Sequence, residues 1–194
     1  MSHYFTNDNV KSNIKKIDAV LKGKRYSFFT DIGVFSKSGI DFGTRLLLEN
    51  INNIQGKVLD VGCGYGVIGI FVRDNFDCFV DMIDINQRAI ELSKKNIKLN
   101  SLEKIKVFFS DEYKNVTERY DYIITNPPIR AGKNIVYKIL ISAKEYLKDE
   151  GKLFFVIKKE QGAKSVIKDL NDIYIMSIIS KKSGFYIISA QKKQ

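Results

Sequence analysis

An asparagine and two prolines end an apolar segment of the chain, in the run Asn126-Pro127-Pro128-Ile129. Each proline fixes its own φ at about −65°, lacks a backbone N–H and keeps the preceding residue out of the helical region. We therefore expect a stiff, extended loop. Its carbonyl groups and the Asn126 amide oxygen could accept hydrogen bonds from the two N–H groups of a planar amino group. Asn-Pro alone also marks ordinary strand-to-loop turns, so this interpretation requires a second motif.

A glycine-rich turn follows a second apolar segment, residues 58–61, which contains Asp60. The pattern predicts a buried strand, a tight turn that begins at Gly62, and then a helix. A G-x-G-x-x-G spacing starts at Gly64 and matches the dinucleotide fingerprint, and Asp84 has the position of a ribose-binding acid. Two kinds of cofactor are therefore compatible with this turn.

Asp60 distinguishes the two cofactors on electrostatic grounds. A carboxylate beside the turn would repel a pyrophosphate, which binds to the bare N–H groups at a helix N-terminus. S-adenosylmethionine has no phosphate, and its sulfonium and ammonium groups would be attracted to Asp60 while Asp84 bound its ribose hydroxyls. The sequence favours S-adenosylmethionine. A dinucleotide site and a glycine turn without a ligand remain as alternatives.

Composition predicts one globular domain, because 194 residues of which 44% are hydrophobic can bury a substantial core. No apolar run approaches the roughly 18 residues of a membrane-spanning helix. The start Met1-Ser2-His3-Tyr4 is unlike a secretory signal, so we expect a cytoplasmic protein with no membrane partner.

Cysteine and histidine usage argues against metal chemistry. Cys63 and Cys78 have no second pair, so neither a zinc ribbon nor a disulfide framework is indicated, and Cys63 is expected to serve as a small packing residue in the turn. His3 is the only histidine, near a chain end. We expect no metal ion and no histidine base.

The net charge of +10 fits a phosphate-rich partner such as RNA. Dispersed lysines usually form a solvated surface, and an A/T-rich genome would also enrich lysine, so clusters are more informative. Three lysine pairs occur near predicted strand ends: Lys158-Lys159, Lys181-Lys182 and Lys192-Lys193.

Apolar periodicity predicts an α/β fold with a doubly wound, Rossmann-like sheet. Strands are predicted at residues 57–61, 79–84, 105–109, 120–125 and 152–158, with helices between them. Residues 173–179 and 185–190 flank a Lys-Lys-Ser-Gly turn and predict an antiparallel hairpin. We therefore expect a mostly parallel, seven-stranded sheet that ends in this hairpin.

Residues 1–45 are expected to form an N-terminal extension to a core domain at 46–194. Lys24–Thr30 has the pattern of a strand, and Asp41 is expected to cap a helix that runs through Leu48. Between them, Phe35 lies in an aromatic loop. This loop could fold over the cofactor, stack on a base, or cover the edge of the sheet.

Together these motifs resemble the RsmC-like small-domain methyltransferases, class I enzymes associated with guanine N2 methylation in small-subunit ribosomal RNA. The resemblance spans nearly the whole chain and depends on the following residues: Gly33-Val34-Phe35-Ser36, Asp41-Phe42-Gly43, the turn after Asp60, Asp84, Asp111 and Asn126-Pro127-Pro128-Ile129-Arg130-Ala131-Gly132. Two features depart from it. Ile129 stands where many amino-group methyltransferases have an aromatic residue, and the second domain of larger members is missing.

The resemblance implies roles for individual residues. Asn126 and Pro127 would be catalytic, accepting the two N–H bonds of the target amine during direct methyl transfer. The cofactor would be bound by Asp60, Gly62, Gly64, Asp84, Asp111 and Asn126. The flipped or single-stranded base would be held by Phe35, Pro128, Ile129 and Arg130.

Three alternative functions remain compatible with the sequence. Asn-Pro-Pro could present acceptors to the planar amide of a glutamine in a protein substrate. The chain could also be a non-catalytic RNA-binding relative, or a DNA adenine methyltransferase, although no target-recognition insert is evident. The oligomeric state is not indicated.

Overall fold

The computed structural model describes residues 11–193, so His3 lies outside the described residues. The strands are β1 Lys15–Leu21, β2 Lys24–Thr30, β3 Gly56–Val61, β4 Cys78–Asp84, β5 Ile105–Phe109, β6 Tyr120–Thr125, β7 Leu147–Lys158, β8 Tyr174–Lys182 and β9 Phe185–Lys192. The helices are α1 Phe42–Asn50, α2 Val67–Asn75, α3 Gln87–Leu99, α4 Lys133–Tyr146 and α5 Ala163–Asp169, with 3-10 turns at Ile129–Ala131 and Lys159–Gln161.

Seven strands form one sheet in the order β5-β4-β3-β6-β7-β9-β8. The first five strands of this order pair in parallel, whereas β9 pairs antiparallel with both β7 and β8. This topology confirms the predicted doubly wound sheet and its C-terminal hairpin. The strand order reverses between β3 and β6, and ligands in such sheets bind outside the carboxyl ends of the strands at this reversal.

Both faces of the central strands are covered. Val58 of β3 and Ile124 of β6 belong to one hydrophobic core, and Leu59 and Ile123, their neighbours along the same strands, belong to a second. Helices α2 and α3 cover the first face, and α4 and α5 cover the other. This burial on two sides explains the nearly continuous apolar runs by which these strands were predicted.

The N-terminal part of the described chain begins with a β1–β2 hairpin that packs on α3. Strand β2 matches its prediction, whereas β1 was not predicted. Tyr26 and Phe28 are buried in the same core as the central sheet, and the Phe28 ring lies 5.8 Å from that of Tyr65. The expected boundary between residues 45 and 46 falls within α1, and the division into extension and core domain stays a prediction.

Two elements near the end of the chain extend the predicted pattern. Strand β7 begins at Leu147, five residues before the predicted start, and its pairing with β6 shifts register between Tyr120 and Tyr122. Helix α5 was not predicted and covers the sheet before the hairpin. Within residues 11–193, no helix has both the length and the apolar character needed to cross a membrane.

Candidate active site

The predicted site residues follow four neighbouring strands of the sheet. Asp111 follows β5, Asp84 is the last residue of β4, Gly62 follows β3, and Asn126 follows β6. The hydroxyl of Thr125 donates to the Val61 carbonyl over 2.8 Å and joins the ends of β6 and β3. The carboxyl ends of parallel strands share one edge, so the fold brings these four positions to the predicted binding crevice.

The glycine turn leaves space beside its backbone. Gly62 and Gly64 have φ values of 72° and 57°, a region that side-chain-bearing residues rarely adopt. A Cβ atom added at either position would meet nothing within 4 Å. Cys63 between them is buried, and burial raises the pKa of its thiol, which supports the predicted packing role. The turn therefore allows a ligand to approach its backbone closely.

Asp84 holds the turn in place and keeps acceptor capacity. One carboxylate oxygen accepts the Gly64 N–H over 2.8 Å, and the other accepts the Asn86 N–H, also over 2.8 Å. Burial raises the pKa of Asp84, although these hydrogen bonds act in the opposite direction. The Ile85 N–H also bonds to this carboxylate, and the three hydrogen bonds together leave part of its lone-pair capacity unused. The residue therefore fits the expected role of binding two ribose hydroxyls.

Asp60 is fully buried at the end of β3. Its Oδ2 accepts the Gly69 N–H over 2.9 Å, and its Oδ1 has no hydrogen-bond partner. Burial, with a smaller contribution from Asp84, raises the pKa of Asp60 to about 8. Burial in the ligand-free protein thus favours the neutral form of Asp60, whereas the sequence alone predicts a charged carboxylate. A nearby cation would lower this pKa, so the unpartnered oxygen fits a cationic cofactor such as S-adenosylmethionine.

Asp60 is expected to make stability pH-dependent. Its pKa is raised on folding from an ordinary value near 3.9, so the folded protein retains a proton that the unfolded chain loses. The contribution of Asp60 protonation to the free energy of unfolding is therefore fully present below about pH 4, and it is lost as pH rises towards 8. Urea unfolding between pH 5 and pH 8 should show a smaller stability loss for Asp60→Asn than for the wild type. Asp77→Asn, at an exposed carboxylate, is the control, and parallel pH profiles for Asp60→Asn and the wild type would contradict this expectation.

Asp111 already has a partner. Its Oδ2 lies 2.5 Å from Lys114 Nζ, and its side chain is 38% exposed. The ion pair is near the surface, where such pairs contribute little to stability. Asp111 lies at the expected end of β5, and its contact with the adenine amino group of the cofactor stays a prediction.

The Asn126 side chain is held in one orientation. Its Nδ2 donates to Asp41 Oδ2 and to Thr44 Oγ1, each over 2.8 Å. A carboxylate can only accept, so the NH₂ group of the amide must face Asp41. Both amide hydrogens are thereby used. The Oδ1 atom is left on the other side as the acceptor that the predicted chemistry requires.

Asp41 and Thr44 were not predicted as site residues. Asp41 caps α1 as expected, accepting hydrogen bonds from the Gly43 and Thr44 N–H groups. The Thr44 hydroxyl also donates to Asp41 over 2.5 Å, so its own oxygen can accept from Asn126. These contacts join residues more than 80 positions apart in the chain, with separations of 85 and 82. The capping pattern was visible in the sequence, but its second partner was not.

The two prolines present their carbonyl groups differently. The Pro128 carbonyl accepts the Ala131 N–H over 2.9 Å as the short helical turn begins. Within residues 11–193, no donor bonds to the Pro127 carbonyl. Its role as an acceptor for the target amine stays a prediction. Ile129 is half-buried against the second core, whereas Arg130 is exposed, so their contacts with a base stay predictions.

The loop containing Phe35 lies over the glycine turn. The Tyr65 hydroxyl donates to the Gly39 carbonyl over 3.2 Å, and the Asn86 amide donates to the Gly33 carbonyl over 3.1 Å. Phe35 itself is 49% exposed. This attachment places the loop on the cofactor side of the crevice, and the contact that Phe35 makes there stays a prediction.

Residues 25–189 match the family described as methyltransferase small domain. The chain belongs to this family. Membership confirms the prediction of an S-adenosylmethionine-dependent methyltransferase. Within residues 11–193, no group of three or more His, Cys, Asp or Glu side chains could hold a metal ion.

Two curated relatives illustrate the similarity. The uncharacterized protein YbxB of Bacillus subtilis is 43% identical over 98% of both chains. Ribosomal RNA small subunit methyltransferase C of Vibrio parahaemolyticus is 36% identical over 82% of this chain and 48% of its own length. The chain therefore spans about half the length of the methyltransferase C relatives that it matches.

A solved structure shows the same fold at lower sequence identity. The T. thermophilus 16S rRNA N2 G1207 methyltransferase RsmC, in complex with AdoMet and guanosine, superimposes with a TM-score of 0.81 at 23% identity. The match covers 94% of this chain and 52% of that chain. It confirms the class I methyltransferase fold predicted from the sequence.

Proposed function

We propose that the protein transfers a methyl group from S-adenosylmethionine to an exocyclic amino group, the N2 atom of a guanine in small-subunit ribosomal RNA. The observation that carries this proposal is the fixed orientation of Asn126, whose amide oxygen is left to accept an N–H bond. The names of the methyltransferase C relatives support ribosomal RNA as the substrate.

The reaction is difficult because the lone pair of an amino group on a purine is delocalised into the ring. S-adenosylmethionine supplies a methyl group on a positively charged sulfur, which is reactive towards a nitrogen nucleophile. Asn126 Oδ1 and the Pro127 carbonyl can accept the two N–H bonds of the amine and direct its lone pair away from the ring. They also stabilise the positive charge that develops on the nitrogen. The rigid Pro-Pro backbone keeps both acceptors in place.

Asp84 and the glycine turn would hold the cofactor during this reaction. Asp84 would bind the ribose hydroxyls, and Gly62 and Gly64 would allow the ligand to approach the backbone. Asp60 would face the positively charged methionine portion. None of these residues has to remove a proton before methyl transfer, because the amine loses its proton readily once it carries the additional methyl group.

A base within a duplex cannot reach this crevice, so the target guanine must be in a single strand, in a loop or flipped. Arg130 would contact it through its guanidinium group, and Phe35 would stack on it. Ile129 would supply an apolar contact in place of an aromatic ring. Ile129 packs partly against the second core, and the loop that contains Phe35 is bonded to Tyr65 of the glycine turn.

Methylation of unmodified RNA tests the proposal directly. Small-subunit ribosomal RNA transcribed in vitro is incubated with the protein and methyl-labelled S-adenosylmethionine, digested, and compared with a standard of N2-methylguanosine. We expect the label to coincide with that nucleoside, and methylation at another atom would contradict the assignment. A ribosomal protein fraction serves as the second substrate. Label in a glutamine side chain, with none in RNA, would establish the protein-directed alternative.

Thr44→Val is expected to slow methyl transfer without weakening cofactor binding. Valine has the shape of threonine but cannot accept the hydrogen bond from Asn126 Nδ2. Loss of the neutral hydrogen bond from Asn126 alone corresponds to about 2- to 13-fold in rate. Valine also loses the hydrogen bond that the Thr44 hydroxyl donates to Asp41, which adds to this effect. The measurement is the single-turnover rate, with S-adenosylmethionine affinity measured in parallel. Thr44→Ser restores the hydroxyl and should recover most of the rate, and equal rates for the Val and Ser variants would contradict the positioning role.

A further inference from the structure

The tip of the C-terminal hairpin lies on the same edge of the sheet as Asn126. Lys158 ends β7 opposite Phe185, the first residue of β9, and Phe185 in turn pairs with Lys182 at the end of β8. Since β7 runs parallel to β6, Lys158 at the end of β7 and Asn126 just after β6 lie at the same edge of the sheet. The Lys159 N–H donates to the Gly184 carbonyl over 2.8 Å and joins the turn after β7 to the hairpin tip.

An aromatic pair connects this tip to the residues that orient Asn126. Phe42 directly follows Asp41, and its ring lies 5.3 Å from that of Phe185 at an angle of 50°. A Cβ atom on Gly43 would come within 2.9 Å of the Phe185 ring, so only glycine allows this ring to pack on the first turn of α1. Phe42 is nevertheless 40% exposed. An apolar ring therefore faces solvent beside the amine-binding position.

Four lysines lie at the hairpin tip. Lys158 Nζ lies 4.8 Å from the centre of the Phe185 ring, and Lys159 and Lys182 are exposed. Lys181 lies on the other face of the sheet, with its Nζ 5.0 Å from the Tyr186 ring. Among the ion pairs of the described residues, none involves these four lysines. Glu160 lies among these lysines in the sequence and Asp41 precedes Phe42, so the local charge remains positive with four lysines and two carboxylates.

The third lysine pair predicted from the sequence lies elsewhere. Strand β9 runs antiparallel to β7, which places Lys192 at the opposite edge of the sheet from Phe185. Lys192 also lies 3.4 Å from Asp149. The structure thus gathers two of the three pairs beside the site and separates the other from it.

We propose that these residues form a surface that binds the single-stranded RNA flanking the target nucleotide. Lys158, Lys159 and Lys182 bind backbone phosphates, and a neighbouring base stacks on Phe42. Proteins that bind single strands combine basic residues along the backbone with aromatic rings under the bases, and the same combination occurs here. The inference rests on the proposed function, because it assumes an RNA substrate at Asn126.

The lysines are tested with Lys159→Gln/Lys182→Gln in the whole chain. Both side chains are exposed, so folding should be preserved. Binding of a short fluorescein-labelled single-stranded RNA is measured by anisotropy over a series of KCl concentrations. Each lost phosphate contact reduces the slope of log affinity against log salt by about 0.7, so the slope should fall by about 1.4 and affinity at low salt by roughly tenfold. S-adenosylmethionine affinity should be unchanged.

The matched control is Lys15→Gln/Lys16→Gln, which removes the same charge from an exposed adjacent pair on β1. We expect a much smaller effect on RNA binding. An equal effect in the two double variants would show that net charge alone matters, and the hairpin-tip surface would be rejected. An unchanged slope in the hairpin variant would also reject it.

The stacking contact is tested with Phe42→Leu, which keeps an apolar side chain at this position but removes the ring. Loss of base stacking should weaken RNA binding about fivefold or more. Phe79→Leu is the control, because Phe79 is an exposed phenylalanine near the amino end of β4, away from the strand ends that carry the site. This variant should bind RNA as the wild type does. Equal affinities for Phe42→Leu and Phe79→Leu would overturn the stacking assignment.

Failure of this inference can be distinguished from failure of the proposed function. If the wild type methylates ribosomal RNA but the lysine and Phe42 variants bind RNA normally, only the surface is wrong. If the wild type neither binds nor methylates RNA, the substrate assignment is wrong and the surface proposal falls with it.

Discussion

Asn126→Ala is expected to lower the single-turnover rate of methyl transfer by about 10²- to 10³-fold while leaving S-adenosylmethionine affinity nearly unchanged. This is the range observed when one hydrogen-bonding group that stabilises a transition state is removed. The structure gives the reason, because Asp41 and Thr44 fix the amide with its oxygen as the remaining polar atom. Rapid-quench measurements with saturating enzyme and labelled cofactor isolate the chemical step.

Two further variants sharpen this test. Asn171→Ala changes an exposed asparagine and should leave the rate unaltered. Asn126→Asp retains an acceptor oxygen on the substrate side. On the other side it replaces the NH₂ group, which lies 2.8 Å from Asp41 Oδ2, with a second carboxylate oxygen. Like charges at this distance repel, so this variant should be slow as well. A wild-type rate for Asn126→Ala would exclude the amide from the reaction.

Asp84→Ala should have the converse effect, raising the dissociation constant for S-adenosylmethionine by about 10- to 150-fold. Hydrogen bonds to a charged group contribute about 1.5–3 kcal/mol, and the loss of the ribose contacts corresponds to that range. The variant also leaves the Gly64 and Asn86 N–H groups without their acceptor, which loosens the turn that receives the cofactor. Isothermal titration calorimetry measures the affinity.

The rate at saturating cofactor separates the two roles. Asp84→Ala should approach the wild-type rate when cofactor is in excess, whereas Asn126→Ala should not. Asp172→Ala, at an exposed aspartate, is the control for a simple loss of charge. Unaltered affinity in Asp84→Ala would assign the carboxylate a purely structural role in holding the turn.

The central sheet could be predicted because its determinants are local. Strands β3 and β6 are apolar runs that end in breakers, the glycine turn in one case and Asn126-Pro127 in the other. The hairpin was recognisable from two β-branched and aromatic segments around Ser183-Gly184. Strand β1 was missed because it is largely exposed and because the exposed Val20 interrupts its alternation of apolar and polar residues.

The site was predicted only in part because its fine structure depends on contacts between distant residues. Asp41 was identifiable as a helix cap, but its bond to Asn126 depends on how α1 packs beside β6. The charge of Asp60 was assumed from its residue type, whereas full burial favours the neutral form. The lysine pairs looked equivalent in the sequence until strand direction separated Lys192 from the others.

Under the proposed function, the locked amide would also select which substrate atoms can lie against it. With both hydrogens of Asn126 donated to Asp41 and Thr44, rotating the amide by 180° would set its oxygen against a carboxylate, so Oδ1 has to stay on the side away from Asp41. A keto oxygen or an unprotonated ring nitrogen placed beside Oδ1 would meet another acceptor and be repelled. Chemoselectivity between the edges of a nucleobase would then be built into the protein's resting state, before any substrate arrives.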